Sequence, residues 1–385
     1  MGIKISEYII IFLGVLMLLI ALIVSILINK ANNGSSPSSP SVLEGCKVLQ
    51  YNGQEKINVL YFSDKESAQK YTDFFLSSNP FNENKEAFNF YYIDDYEASC
   101  EIYKGIAVLC HSKELIKKAA SCPNDFIVVL EDENERIRSS AYLNVMSLNV
   151  RHFFTVFLHE FGHVFANLAE EYVPAKLPPS QPNCKQKCEN FQEEIDGCFA
   201  GCSENTYHRS VAEGIMRTLS PENKEVPYGI FNTNIIRKII TESLDKKSSS
   251  IPLTGKALQD FQNTCAKQNY ILSEIKPDGK IINTIQKGCR TGTLGEGAYN
   301  YEIKDKEDNT IFSDNFNAYF FSSAPKDKGG ELAGEVQSYD EASLTITLTL
   351  PILTEAEELK VLDPEGSTIA ESDFNKIGFR PCLRK

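Results

Sequence analysis

Apolar positions along this chain follow three rhythms, and each predicts a different element. From Tyr8 to Ile28 they are almost continuous and uncharged (YIIIFLGVLMLLIALIVSILI), long enough to cross a hydrocarbon core about 30 Å thick. A cleavable signal peptide has a shorter apolar part and ends in small residues, which Ile26-Leu27-Ile28-Asn29 does not supply. The pattern therefore predicts an uncleaved transmembrane signal anchor over 8–29, then a polar Ser/Pro/Gly/Asn tether over 30–45 that cannot bury a core. Short runs follow that suit buried strands: Ile57–Phe62, Phe88–Ile93, Gly105–Cys110 and Phe126–Leu130. Helical spacing between them predicts helices over Lys65–Leu76 and Lys113–Ala120.

The second rhythm is a largely apolar helix over roughly Val150–Leu168, with further helices near Asn234–Leu244 and Ala257–Gln268. The third begins near Lys280. Ala342–Leu350 (ASLTITLTL) alternates strictly, leucine and isoleucine on one face and threonine on the other, which predicts a half-buried antiparallel strand. Asp305–Ile311 and Asp363–Ile369 share a D-x4-T-I pattern behind strand-like runs, so both read as hairpin turns. The organisation expected is an α/β domain over 46–250 and an all-β, sandwich-like accessory domain over 280–385.

Charge and cysteine content narrow the setting. A net charge of −13 excludes a nucleic-acid partner that needs a basic stripe. Eleven cysteines point to an oxidising compartment, and with the anchor they place the expected protein on the cell membrane, single-pass, its bulk outside the cytoplasm. The odd count leaves one thiol free or shared with another chain. Cys184, Cys188, Cys198 and Cys202 form a C-x3-C, C-x3-C set. It reads as a disulfide-stapled helical hairpin with nested pairs Cys184–Cys202 and Cys188–Cys198, a structural zinc site being the rival. Cys100, Cys110 and Cys122 can pair among themselves or with Cys46.

The candidate chemistry lies in His159-Glu160-Phe161-Gly162-His163. Imidazoles at i and i+4 stand about 40° apart on one helix face and can bind one Zn²⁺, while Glu160 beside the first can act as general base. The bland alternative is a pair of hydrogen-bonded core histidines with Glu160 facing solvent. A catalytic zinc takes three protein ligands and an open position, so one ligand remains to be found.

His159 to Tyr172 (HEFGHVFANLAEEY) resembles the immunoglobulin-A peptidase family of zinc metallopeptidases, whose motif is HEFGH, a glycine-containing spacer and L-A-D-E-Y. Phe81–Ile93 and Asp125–Leu130 resemble parts of that family's catalytic domain, and Gly214-Ile215-Met216-Arg217 its S-I-M-R segment, so the likeness covers roughly Val59–Arg217. It implies a zincin-like metallopeptidase fold with His159, His163 and Glu170 as ligands to one zinc ion. Glu170 stands where the family has aspartate. In a straight helix it would lie about 13 Å along the axis from the histidines, so the helix must end near Ala166-Asn167. The family's glycine is missing, but asparagine tolerates the left-handed conformation. Glu171, His208 and Glu213 are rival third ligands. The resemblance also makes Met216 a Met-turn residue beneath the metal, against ordinary core filling. Tyr172, Tyr207 and Arg209 are nearby side chains that could stabilise an oxyanion or serve structurally.

These features lead to the expectation of a membrane-anchored zinc metallopeptidase acting on a protein or peptide substrate. The alternatives are a non-enzymatic surface binding protein with a degenerate metal-site helix and a zinc hydrolase for non-peptide bonds.

Overall fold

The computed structural model describes residues 45–192, 194–220, 225–248, 265, 267–292, 297–323 and 343–374. The expected anchor over 8–29, the tether apart from Gly45, and most of the expected helix Ala257–Gln268 lie outside these residues. Among the described residues no helix is long and apolar enough to cross a membrane. The single-pass, cell-membrane assignment is accordingly withdrawn. The oxidising setting does find support, in disulfides Cys46–Cys122, Cys100–Cys110, Cys184–Cys202, Cys188–Cys198 and Cys265–Cys289.

Ile57–Phe62, Phe88–Ile93 and Phe126–Glu131 are strands, buried along almost their whole length. With Val145–Asn149 they form a parallel group. Antiparallel strands extend it to seven, in the order Lys47–Gln50, Phe88–Ile93, Ile57–Phe62, Phe126–Glu131, Val145–Asn149, Ser139–Tyr142, Phe320–Ser323. Near-continuous apolar strands need cover on both faces. Helix α1 (Lys65–Ser77) supplies it on one side and α2 (Lys113–Ala119) on the other. Alternate residues of one strand serve both cores: Val59 and Tyr61 pack with α1, Leu60 and Phe62 with α2.

The motif helix α3 (Thr155–Ala166) lies on the α1 face. Phe157, Phe161 and Phe165 meet Tyr61, Phe75, Phe81 and Phe126 there, with Phe75 and Phe161 ring centres 5.0 Å apart. Ile236, Ile239 and Ile240 of α4 (Ile230–Ser248) close the same core. The polar motif is thus held on a rigid, aromatic bed.

The expected fold class, a zincin-like domain followed by a separate all-β sandwich, needs correcting. The described residues form a mixed α/β fold with more strand than helix, four helices against eighteen strands. The described residues all fall within one compact unit. Later strands do build a three-stranded sheet (Ile281–Lys287, Asn269–Ile275, Ile346–Leu350) and a four-stranded one (Thr310–Phe316, Tyr299–Lys304, Glu358–Leu362, Thr368–Asp373) around a shared core. They are not independent of the first layer. Tyr270 and Leu272 pack into the α2 core while Ile271 and Ile275 of the same strand face the later sheets. Phe320–Ser323 joins the seven-stranded sheet. Alternation finds a strand but not its partner, which is why Thr347 and Thr349, expected at a surface, are buried.

Both D-x4-T-I segments are hairpin turns: Asp305 Oδ1 accepts from the Glu307 and Asn309 amides, Asp363 Oδ1 from those of Glu365 and Ser367. The nested Cys184–Cys202 and Cys188–Cys198 pairs form as expected, but they staple a β-hairpin, Phe199–Cys202 with Glu204–Arg209, not a helical one. The eleventh cysteine, Cys382, lies outside the described residues.

Candidate metal centre

Helix α3 ends at Ala166, where the sequence predicts a break. Asn167 adopts the left-handed conformation (φ 49°, ψ 33°), and its N–H donates to the His163 carbonyl. Leu168 N–H returns to the Gly162 carbonyl at 3.2 Å. The chain turns back on itself, and Glu170 comes to lie over the histidines instead of a further turn and more along the axis.

His159 Nε2 and His163 Nε2 are 3.0 Å apart. Glu170 Oε2 stands 3.2 Å from the first and Oε1 3.3 Å from the second. Ligands at 2.0–2.1 Å on tetrahedral corners are roughly 3.3 Å apart, so the spacing suits one zinc-sized cation. The other ring nitrogens decide the protonation pattern. His159 Nδ1 meets the Ile215 carbonyl at 2.9 Å and His163 Nδ1 the Leu168 carbonyl at 2.6 Å. A carbonyl only accepts, so each Nδ1 carries a proton and each Nε2 is the atom left facing the shared space. Two ring nitrogens and a carboxylate converging in a buried space need a cation or a proton between them. Glu170 Oε2 is also buried without a well-aligned hydrogen-bond donor among the described residues. The donor set therefore fits a divalent cation.

Charge coupling points the same way. Burial opposes ionisation at both His159 and Glu170, yet their mutual attraction holds the imidazole above, and the carboxyl below, its ordinary range. Glu160 adds its charge to the field at His159 and is fully buried, so it does not face solvent.

The rival ligands lie elsewhere. Glu171 turns away, its Oε1 accepting from Asn232 Nδ2 at 2.8 Å and Asn183 Nδ2 at 3.1 Å, and burial pushes its carboxyl up to about 7 despite those donors and Arg209 and Arg217. Glu213 pairs with Arg217 Nε at 3.2 Å. His208 sits on the stapled hairpin, its backbone bonded to Lys185. Arg209 is committed to the Ala200, Gly201 and Ala212 carbonyls, and the Tyr207 hydroxyl accepts from Gln186. Tyr172 packs at the edge of the α1 core. Arg209 and Tyr207 are thus engaged by groups other than the histidines.

Met216 is fully buried, and its sulfur would lie 2.8 Å from a Cβ built on Gly162, the residue before the second histidine. Tyr228 Cε1 would lie 3.1 Å from the same atom. Glycine at this position lets Gly214–Arg217 come close enough for the Ile215 carbonyl to orient His159. Gly162→Ala should therefore lower stability: helix propensity favours alanine by about 1 kcal/mol, but overpacking a dense core costs about 1–3 kcal/mol. A lower urea midpoint checks this, and a raised one means the packing is looser than the distances indicate.

Sequence reasoning missed the residues that carry Glu170. Asn183 is fully buried, accepts the Ala169 N–H at 2.7 Å and donates to the Ala169 carbonyl at 3.0 Å, imitating a paired strand. Ser203 Oγ donates to the Glu170 carbonyl at 2.7 Å. Both flank the Cys184–Cys202 bridge, so the stapled hairpin is the mount for Glu170. Asn183→Ala leaves two backbone groups unpaired, costing about 1–3 kcal/mol, and is expected to weaken zinc binding roughly 10–100-fold. Competition with a chromophoric chelator measures it. Unchanged affinity would show that Glu170 is not held by this mount.

No protein-family model matches the chain, and no curated protein matches it.

Proposed function

We propose that this chain is a zinc-dependent hydrolase of peptide bonds, with His159, His163 and Glu170 holding the ion and Glu160 serving as general base. The observation that carries the reading is the convergence of two Nε2 atoms and a carboxylate within 3.3 Å, with both Nδ1 atoms committed to carbonyls. Structural histidine pairs do not need that arrangement. Zinc held there supplies a Lewis acid that polarises a carbonyl and acidifies water.

The protein's own groups do the rest. The Ile215 and Leu168 carbonyls hold the Nδ1 protons, so Nε2 is the atom each imidazole presents to a metal. Glu160 follows the first ligand and takes no part in the three-ligand set, which leaves its carboxylate to accept a proton from the attacking water and pass it to the leaving amine. The likeness of HEFGH, L-A-E-E-Y and G-I-M-R to the immunoglobulin-A peptidase motifs supports peptide bonds as the target class. Cleavage of a random peptide library by the zinc-loaded chain, with product mapping, tests the reading. A chain that holds zinc and cuts no peptide would turn attention to non-peptide bonds, and one that holds no metal would favour a binding protein.

A further inference from the structure

The four site residues lie beneath the surface: His159 and Glu160 are 0% exposed, His163 1% and Glu170 4%. A hydrolase must admit its substrate, so whatever covers these groups has to give way. Over His163 lies Phe321, its ring stacked on the imidazole with centres 3.9 Å apart and planes 7° from parallel. Phe321 belongs to Phe320–Ser323, which among the described residues is the terminal strand on its side of the seven-stranded sheet, hydrogen-bonded there to Ser139–Tyr142.

The residues before it reach the same site. Asn317 Nδ2 donates to Asn167 Oδ1 at 2.7 Å, on the turn that ends α3. Lys176 Nζ lies 4.6 Å from the Tyr319 ring centre, on the segment that follows Glu170. Phe321 and Tyr319 also pack with Val164, next to the second histidine. One short edge segment thus touches the ligand helix, its cap and the chain beyond the third ligand, although it lies about 150 residues away in sequence.

We infer that Phe320–Ser323 is a self-docked strand that shuts the metal site, the resting chain staying latent until that strand leaves the sheet edge. The inference rests on the zinc-hydrolase reading and adds its regulation. An edge strand can leave without unzipping the sheet behind it, and its departure frees the backbone of Ser139–Tyr142. Extended peptides pair with such an edge, so a peptide substrate and the strand compete for one place, and loss of the Phe321 ring shifts that competition toward substrate.

The test uses the full chain loaded with zinc, with Phe321→Ala and the conservative Phe321→Tyr beside the parent. Phe321→Ala should lose zinc to a small chelator such as dipicolinate at least about tenfold faster and raise kcat/KM on a peptide library by a similar factor, while Phe321→Tyr follows the parent. Zinc stoichiometry and circular dichroism establish that each variant is folded and loaded. A second variant works in the opposite direction: Ser140→Cys with Ser322→Cys joins two residues that face each other across the ladder, and the bonded chain should strip and cleave more slowly than the parent. Parental stripping and cleavage rates in folded, loaded Phe321→Ala overturn the closure. Should that variant not fold, a cross-linked chain as fast as the parent overturns it instead. A parent chain that takes up no zinc sinks the metal reading itself, a result plainly different from either.

Discussion

Glu160→Gln is expected to leave zinc content unchanged and to lower peptide hydrolysis by roughly 10²–10⁴-fold, the usual contribution of a positioned acid or base. At about 1.36 kcal/mol per tenfold this is about 2.7–5.4 kcal/mol of barrier. Glutamine preserves the size of a side chain that is wholly buried, so packing of α3 should survive. What it removes is the ability to accept a proton. The ion should stay, because the three converging donors are His159, His163 and Glu170 and do not include Glu160. Zinc per chain by atomic emission, measured with kcat on the same sample, separates the two effects. An active, zinc-loaded Gln variant would falsify the assignment of the base.

His163→Ala should abolish both metal and activity. It removes the ring whose Nε2 is 3.0 Å from that of His159 and 3.3 Å from Glu170, leaving two ligands, too few to hold a catalytic zinc. Zinc should fall from about one per chain to near zero, with hydrolysis at background. Thermal unfolding gives an independent reading. A parent chain in zinc at about 100 times its Kd gains about 2.7 kcal/mol, and the variant should not respond to added zinc. Full zinc retention in His163→Ala would move the site to other donors, with Glu213 the first to test.

The legible parts of the fold were those with a local period. Ile57–Phe62 and Phe88–Ile93 are strands at the expected boundaries, and Lys65–Ser77 and Lys113–Ala119 are helices within a residue of them. The helix end near Ala166-Asn167 was legible once the resemblance made Glu170 a ligand, because only a break there lets a residue so far along the chain approach the histidines. The separate β-sandwich was not, since Ala342–Leu350 announces a strand while saying nothing of the sheet it joins. The helical form of the cysteine hairpin failed likewise. The C-x3-C, C-x3-C spacing suggested the Cys184–Cys202 and Cys188–Cys198 nesting, but the extended backbone of Phe199–Arg209 depends on the pairing it finds.

The sequence by itself determined the chemistry available: two imidazoles on one helix face, a carboxylate beside them, and an asparagine able to turn the chain before Glu170. These follow from spacings of one to seven residues, over which backbone geometry is nearly independent of the rest of the fold. Only the tertiary structure decided how that chemistry is held and guarded. Ile215 orients His159, Met216 fills the space over Gly162, Asn183 mounts Glu170, and Phe321 covers His163. Apart from Asn183, each partner lies more than fifty residues from the group it touches, and contacts at that range are set by strand order and layer packing, which no local period records.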